Sequence, residues 1–318
     1  MTKFWEHYPE INSELEDIKK IIKDNTKEKV INEPLSPVVE SGGKMLRPAF
    51  LLMAGKFGEY KADRLKNLGA IMEMLHTATL IHDDIIDDSH LRRGQISIQS
   101  KYGKDFAVYM GDYLFCKCFM MLSKDFNMED MSRISKVISK ICLGEMRQHY
   151  ARRSTKVSLK EYLKIISGKT AALFSLSFYI GARESNCDER LCKLLGKIGY
   201  DIGMAFQIID DILDYSGSAE TVGKDTRNDL KQGYYTLPLI YEFKNNNKLL
   251  KLLKNKELED KDIDRIYEEV RSSEGIEKSR KLAKRYTNRA FDRIDKLPEN
   301  NNKVVLKEIL DKLLNREY

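Results

Sequence analysis

The chain contains two nearly identical acidic pentapeptides, DDIID at residues 83–87 and DDILD at residues 210–214. Each lies at the end of a long segment with helical apolar periodicity, one over about 62–88 and the other over about 188–215. Residues four apart share a face of a helix, so the first and last aspartates of each motif point the same way. Two carboxylates about 6 Å apart repel each other by roughly 3 kcal/mol at an effective dielectric constant of about 20. The helix C-terminus disfavours each negative charge by a further ~0.3–1 kcal/mol, so a bound cation is expected.

The same apolar periodicity recurs along almost the whole chain, and its breaks carry helix punctuation rather than hairpin signals. Pro37 and Pro48 stand at plausible first helical positions, and Ser158 with Glu161 forms a possible capping box. No Pro/Gly/Ser-rich linker divides the 318 residues, of which 42% are hydrophobic and 33% charged. The sequence therefore predicts an all-α protein without strands, folded as a single domain over residues 1–318.

Composition excludes several classes of protein. The net charge of +6 is spread widely, which indicates solvated helix faces and no nucleic-acid partner. Five cysteines without a CxxC pair, and no signal peptide, predict reduced thiols and a cytoplasmic protein. The longest nearly apolar run, residues 170–182, is shorter than the ~20 residues that span a bilayer, so no integral membrane segment is expected.

The two pentapeptides predict a metal site. Their isoleucines and leucine are expected to anchor each helix to a core, which places the carboxylates in a walled cavity with hard cations. Oxygen ligands alone suit Mg²⁺ or Mn²⁺, and Mg²⁺ often bridges carboxylates to substrate phosphates. A second interpretation is that both clusters are exposed and screened by water. The candidate metal ligands are Asp83, Asp84, Asp87, Asp210, Asp211 and Asp214.

A phosphorylated substrate requires convergent cations, and the sequence supplies them in short, distinctive settings. The candidates are Lys44 and Arg47 in GGKMLRP, Arg92 and Arg93 in LRRG, Lys169 with Thr170 in GKT, and Lys224 in VGKD. His76 and Gln207 precede the two motifs at helical spacing. Each alone has a plainer interpretation, such as a turn flank or a core histidine. SGKT is not the end of a P-loop, because Leu163 stands where that motif needs glycine.

In combination and in order, GGKMLRP, HTATLIHDDIIDDSHLRRG, GKT and FQIIDDILDYSG…VGKD…DL…TLPL resemble the motifs of the trans-prenyltransferases, the (E)-isoprenyl diphosphate synthases. The similarity covers roughly residues 40–240. It implies an isoprenoid-synthase-like helical bundle around a central cavity, usually a homodimer. It also implies head-to-tail condensation of isopentenyl diphosphate with an allylic diphosphate by ionisation, condensation and elimination. The expected cofactor is a set of three Mg²⁺ ions, with Mn²⁺ as a substitute.

The resemblance also implies roles for individual residues. The leading metal ligands would be Asp83, Asp87 and Asp210, supported by Asp84, Asp211 and Asp214. The allylic diphosphate would be held by Arg92, Lys169 and Lys224, and isopentenyl diphosphate by Lys44, Arg47, His76 and Arg93. Lys169, Thr170 and Gln207 would form the catalytic group, the last two near the reacting allylic carbon. One departure is Tyr234 in GYYTLP, where many members carry a lysine.

Product length is expected to depend on the residues that precede Asp83. Ala78 and Thr79 stand one turn toward the N-terminus, where short-chain members of the family commonly carry bulky aromatics. Small side chains would leave an apolar tunnel open, which favours an all-trans polyprenyl diphosphate of medium or long chain. Phe115, Phe119 and Met120 could form its floor or pack in the core.

Other functions remain open at this stage. The chain could be the catalytic subunit of a heteromeric synthase with an accessory subunit, a geranylgeranyl or farnesyl diphosphate synthase, or a class I terpene cyclase. A cyclase normally mixes Asn, Ser or Thr with Glu in its second metal motif, unlike DDILD. A purely structural helical protein is a further alternative. The resemblance also allows peripheral contact with the membrane for product release.

Overall fold

The computed structural model describes residues 3–40, 43–92, 94–125, 128–216, 228–243, 246–253 and 258–314. The protein is all-α, as predicted. In chain order the helices are α1 (Pro9–Asn25), α2 (Lys29–Glu40), α3 (Leu46–Gly55), α4 (Ala62–Ile86), α5 (Ile98–Tyr102), α6 (Lys104–Asp125), α7 (Met128–Tyr150), α8 (Leu159–Ile166), α9 (Ala172–Glu184), α10 (Glu189–Ser216), α11 (Asn228–Gln232), α12 (Leu237–Glu242), α13 (Asn247–Leu253), α14 (Asp260–Arg271), α15 (Glu274–Ile294) and α16 (Asn301–Leu314).

The chain divides into two compact units. The N-terminal unit comprises Met1–Ile134 and Ser177–Leu195, and the C-terminal unit comprises Ser135–Leu176 and Gly196–Tyr318. The single domain expected from the sequence stays a prediction.

Helix α4 of the N-terminal unit carries the first acidic motif. It packs against α1, α3 and α6, and buries Leu65, Leu68 and Leu75. In the same unit, Phe50 of α3 stacks on Phe178 of α9 with ring centroids 5.0 Å apart. Burial of these large apolar side chains stabilises the unit by about 1.5–3 kcal/mol each and so fixes the position of α4.

The part of α10 that belongs to the C-terminal unit, from Gly196 onward, carries the second acidic motif. Its buried Asp201 forms ion pairs with two arginines of α15, with Arg289 at 2.8 Å and with Arg293. A Cβ atom on Gly203 would lie 2.6 Å from Cα of Ala171, so only glycine permits this close approach. The approach brings α10 against Ser167–Ala171, a π-helical turn that joins α8 to α9.

The long segments end close to where the sequence predicts. Helix α4 runs from Ala62 to Ile86 with Asp87 as its C-cap, and α10 runs from Glu189 to Ser216. Ser158 is the N-cap of α8, where its side chain accepts a hydrogen bond from the Glu161 backbone N–H at 3.2 Å. The GKT segment lies within continuous helix, as expected, although its local geometry is π-helical.

Two local predictions were wrong. Pro37 lies inside α2, together with Pro34, rather than at a helix start. Each interior proline removes a backbone donor at a cost of about 3 kcal/mol, and burial of Pro34 and Leu35 offsets part of that loss. Pro48 is the third residue of α3 rather than the first. It still lies within the first turn, where backbone N–H groups have no helical partner.

The expectation of no strands was also wrong by one small hairpin. Strand β1 (Leu91–Arg92) pairs antiparallel with β2 (Gln95–Ile96), and Arg92 lies opposite Gln95. Gly94 in the turn has a φ of 76°, a conformation that glycine adopts without strain. The strands are too short for alternating hydrophobicity to reveal them.

One helical run, Leu159–Glu184, is long and apolar enough by length and composition alone to cross a membrane. However, 78% of its most apolar window is buried within the protein. That degree of burial is typical of a core helix.

Candidate active site

The first acidic motif ends α4 and contains two kinds of aspartate. Asp83 and Asp87 are half-buried, whereas Asp84 is only 5% exposed. The Arg92 guanidinium, on the hairpin that follows, donates a hydrogen bond from Nε to Asp84 Oδ1 at 2.8 Å and a second from Nη2. Both charge-assisted bonds converge on Oδ1, so the guanidinium engages one oxygen of the Asp84 carboxylate. In this structure Arg92, predicted to bind the allylic diphosphate, is therefore engaged by the motif itself.

The residues one and two turns before Asp83 lie on the same helix. His76 is half-buried, and Ala78 is fully buried. The Thr79 hydroxyl donates to the His76 carbonyl at 2.8 Å, so it is turned back onto its own helix. No bulky aromatic occupies either chain-length position.

The predicted floor residues do not share one environment. Phe115 lies against the His82 ring, with centroids 5.9 Å apart. Phe119 and Met120, on the next turn of α6, are exposed. Phe119 and Met120 therefore do not pack in the core of the described part of the chain.

Lys44 and Arg47 lie at the start of α3, as the sequence indicated. The buried Trp5 indole donates to the Lys44 carbonyl at 2.6 Å, and the Lys44 ammonium lies 5.2 Å from the Phe4 ring centroid. Met45, between them, has a φ of 44° and forms the N-cap of α3. Arg47 is the second residue of the helix and is half-buried. A helix start with two adjacent cations is a suitable site for a diphosphate.

The second acidic motif repeats the pattern of the first. Asp210 and Asp214 are half-buried, and Asp211 is 5% exposed. The Tyr162 hydroxyl of α8 donates to Asp211 Oδ2 at 2.6 Å, and Gln207 Nε2 donates to Oδ1 at 2.9 Å. Burial raises the pKa of Asp211 to about 7, although the Tyr162 and Gln207 hydrogen bonds act in the opposite direction.

The predicted catalytic group comes together around the π-helical turn. The Thr170 hydroxyl donates to Gln207 Oε1 at 2.6 Å. The Lys169 ammonium donates to Glu145 Oε2 and to Gln148 Oε1, each at 3.0 Å. Single π turns are frequent at functional sites, because they re-aim side chains within a helix.

Three site residues escaped prediction from the sequence. Tyr162 stands seven residues before Lys169, a spacing that returns it to nearly the same face of a helix. Glu145 and Gln148 on α7 contact Lys169, and no local motif marked them. Helix spacing could have suggested Tyr162, but only tertiary contacts show the α7 pair.

Three further positions singled out in the sequence are Arg93, Lys224 and Tyr234. Arg93 and Lys224 lie outside the described residues. Tyr234 is buried, and the Arg152 guanidinium lies 5.6 Å from its ring centroid. An arginine therefore lies next to the position where many family members carry a lysine.

The acidic residues fit a hard divalent cation. Across the described residues no group of three or more His, Cys, Asp or Glu side chains is arranged to hold a metal ion by itself. Each motif instead offers two half-buried carboxylates one helical turn apart. Mg²⁺ is commonly bound by one or two carboxylates, with substrate phosphates and water as the other ligands.

Comparison with known proteins defines the class. The chain has the helical fold of the isoprenoid synthases: it matches heptaprenyl diphosphate synthase from Staphylococcus aureus with a TM-score of 0.92 and 29% identity, covering 96% of this chain and 98% of that one. It matches geranylgeranyl pyrophosphate synthase from Lactobacillus brevis with a TM-score of 0.93 and 32% identity, covering 99% of both chains.

The family follows from the sequence matches. The polyprenyl synthetase family model matches residues 28–270. Heptaprenyl diphosphate synthase component 2 of Bacillus subtilis is 34% identical over 320 residues, covering 99% of this chain and 92% of that protein. The chain belongs to the polyprenyl synthetase family, which confirms the resemblance to trans-prenyltransferases and the prediction of a prenyl-transferring enzyme. Enzymes of this family are generally metal-dependent.

Proposed function

We propose that this protein condenses isopentenyl diphosphate with an allylic diphosphate to give an all-trans polyprenyl diphosphate of medium or long chain. The observation that carries the proposal is the pair of half-buried aspartates on α4, Asp83 and Asp87, repeated as Asp210 and Asp214 on α10. Mg²⁺ held at these carboxylates, with Mn²⁺ as a substitute, would supply positive charge to the diphosphate leaving group. We propose three Mg²⁺ ions, the number that the resemblance to the family implies.

The reaction needs charge stabilisation more than a nucleophilic side chain. The allylic carbon–oxygen bond breaks, and its electron pair leaves with the diphosphate. Lys169, which donates hydrogen bonds to Glu145 and Gln148, is assigned to stabilise the negative charge on the leaving oxygens. The isopentenyl double bond then attacks the allylic cation, and the diphosphate accepts the proton that is lost. Lys44, Arg47 and His76 are assigned to the diphosphate of isopentenyl diphosphate.

The proposed chain length rests on Ala78 and Thr79. Both side chains are small, and the Thr79 hydroxyl is turned toward its own helix. An elongating apolar tail would therefore meet no aromatic barrier at this level of α4. The similarity to heptaprenyl diphosphate synthases supports a product of medium or long chain. The similar fold of a geranylgeranyl pyrophosphate synthase supports the alternative of a shorter product.

We propose that the chain works as an oligomer, with a homodimer as the first choice. Helix α6 exposes Val108, Tyr109, Phe119 and Met120, and the two pairs are eleven residues apart, which is three helical turns. An apolar row of this kind is typical of a subunit interface. The name of the Bacillus relative, component 2, favours a second candidate, in which this chain is the catalytic component of a heteromeric synthase.

We place the reaction in the cytoplasm, with peripheral contact to the membrane for product release. All five cysteines are free, which supports a reducing compartment. An amphiphilic product supports delivery to a lipid surface.

One experiment separates the proposed activity from a terpene cyclase. The purified chain is incubated with farnesyl diphosphate and Mg²⁺, first alone and then with radiolabelled isopentenyl diphosphate. We expect labelled polyprenyl diphosphates only in the second mixture, and none when a chelator is added. A hydrocarbon from farnesyl diphosphate alone would overturn the proposal. Activity that appears only after a second polypeptide is added would favour the heteromeric form.

A further inference from the structure

The middle aspartate of each acidic motif differs from its neighbours in the same way. Asp84 and Asp211 occupy the second position of DDIID and DDILD, and both are buried, whereas the first and fifth aspartates are half-buried. Each accepts hydrogen bonds from a side chain outside its motif, Arg92 for Asp84 and Tyr162 for Asp211. The same register position therefore serves as an internal anchor within each unit.

Both oxygens of Asp211 are already engaged by the protein. Oδ2 accepts from the Tyr162 hydroxyl at 2.6 Å and Oδ1 accepts from Gln207 Nε2 at 2.9 Å. A buried carboxylate loses its hydration and depends on such donors for compensation. Each oxygen keeps a second lone pair, but the Asp211 side chain is only 5% exposed, whereas Asp210 and Asp214 are half-buried.

The hydrogen bonds to Asp211 continue through Gln207 to Thr170. Gln207 turns its NH₂ group toward Asp211 Oδ1 and its carbonyl oxygen toward Thr170. That carbonyl accepts the Thr170 hydroxyl proton at 2.6 Å. Because its proton is engaged, Thr170 presents oxygen lone pairs to whatever lies beside it.

We propose that Tyr162 is a positioning residue for the prenyl transfer and that Asp211 is its anchor rather than a metal ligand. Tyr162 holds Asp211, Asp211 fixes the orientation of the Gln207 amide, and Gln207 fixes the Thr170 hydroxyl. The result is an oxygen acceptor aimed at positive charge developing on the allylic carbon. This inference rests on the proposed function.

The first test is kinetic and uses Tyr162→Phe, which removes only the hydroxyl. Loss of a hydrogen bond to a charged group lowers kcat by about tenfold to a hundredfold, while KM for both diphosphates stays within about twofold. Tyr241→Phe removes a half-buried hydroxyl from the same unit and serves as the matched control, with unchanged kcat expected.

A double variant shows whether Tyr162 acts through Gln207. In a Gln207→Leu background, Tyr162→Phe should lower kcat by less than about twofold, because the connection is already broken. Full additivity of the two effects would overturn the positioning role.

The second test measures metal binding directly. Mn²⁺ is titrated calorimetrically into the protein with inorganic diphosphate present. Asp211→Asn should bind within about threefold of the wild type, whereas the neighbouring Asp210→Asn should bind at least about tenfold more weakly. Equal weakening in both variants would make Asp211 a ligand and overturn the inference. If Asp211→Asn fails to fold by circular dichroism, unchanged Mn²⁺ affinity in Tyr162→Phe supports the inference, and a tenfold loss contradicts it.

The two levels of the proposal fail differently. A wild-type protein without Mg²⁺-dependent prenyl transfer contradicts the proposed function. An active wild type with additive variants or with Asp211 as a ligand contradicts only this inference.

Discussion

The ammonium of Lys169 lies 3.0 Å from Oε2 of Glu145. Lys169 belongs to the π-helical turn that also carries Thr170. A carboxylate next to a cation that is assigned to a diphosphate both orients that cation and offsets its charge. Both side chains are partly exposed, so the ion pair contributes only about 1 kcal/mol or less.

Glu145→Gln retains a hydrogen-bond acceptor for Lys169 and removes the competing charge. We expect KM for the allylic diphosphate to fall by about twofold to fivefold, because the site becomes more positive. Steady-state kinetics with a fixed excess of isopentenyl diphosphate measures this change. The matched variant Lys169→Gln should raise the same KM and lower kcat, and a rise in KM for Glu145→Gln would show that orientation matters more than charge.

Arg92 and Asp84 form the second relationship with a measurable consequence. Arg92→Ala leaves a buried carboxylate without its guanidinium, so we expect the free energy of unfolding to fall by about 2 kcal/mol. Urea unfolding followed by circular dichroism measures this loss. Adding Asp84→Asn to Arg92→Ala should recover part of the stability, because the buried negative charge is gone. An unchanged unfolding midpoint in Arg92→Ala would show that Arg92 serves the substrate alone.

Product length provides a third prediction. Ala78→Phe and Thr79→Phe introduce aromatics one turn before Asp83, and we expect shorter products because the growing tail is blocked. Resolving labelled products by chain length measures the effect, and Ala78→Ser is the matched control with unchanged length. Because Ala78 is fully buried, overpacking is expected to destabilise its phenylalanine variant by about 1–3 kcal/mol, so thermal unfolding accompanies the assay. Full-length product from both folded aromatic variants would contradict the proposed tunnel.

The exposed row on α6 gives a fourth prediction. Met120 is 58% exposed in the single chain. If α6 forms the interface, a glutamate at this position would be buried on association, which would disfavour association strongly. Met120→Glu should therefore shift the protein toward monomer in light scattering after size exclusion. Val304→Glu changes another exposed apolar residue, on α16, and should leave the mass unchanged. A monomeric wild type, or equal effects of both variants, would contradict an α6 interface.

Sequence patterns predicted the parts of this protein that depend on local periodicity. The ends of α4 and α10 followed from apolar spacing, and Ser158 followed from capping chemistry. Pro37 misled because proline is typical of the first helical turn, whereas α2 continues through both Pro34 and Pro37. The hairpin at Leu91–Ile96 was missed because two-residue strands carry no periodicity.

The candidate site shows a similar limit. The sequence pattern gave all six motif aspartates as candidate ligands, and the family resemblance assigned supporting roles to Asp84, Asp211 and Asp214. The burial of Asp84 and Asp211, and their hydrogen bonds to Arg92 and Tyr162, arise from contacts between segments far apart in sequence or across a turn. Such contacts leave no periodic signal in a single sequence.

The most direct test of the account asks whether both acidic motifs are required for prenyl transfer. Single-turnover product formation is measured for Asp83→Asn and Asp210→Asn, with each fold verified by circular dichroism. Each change should slow the reaction by at least about a thousandfold, because each aspartate is proposed to hold Mg²⁺ for the diphosphate leaving group. Near wild-type rates in either variant would contradict the account.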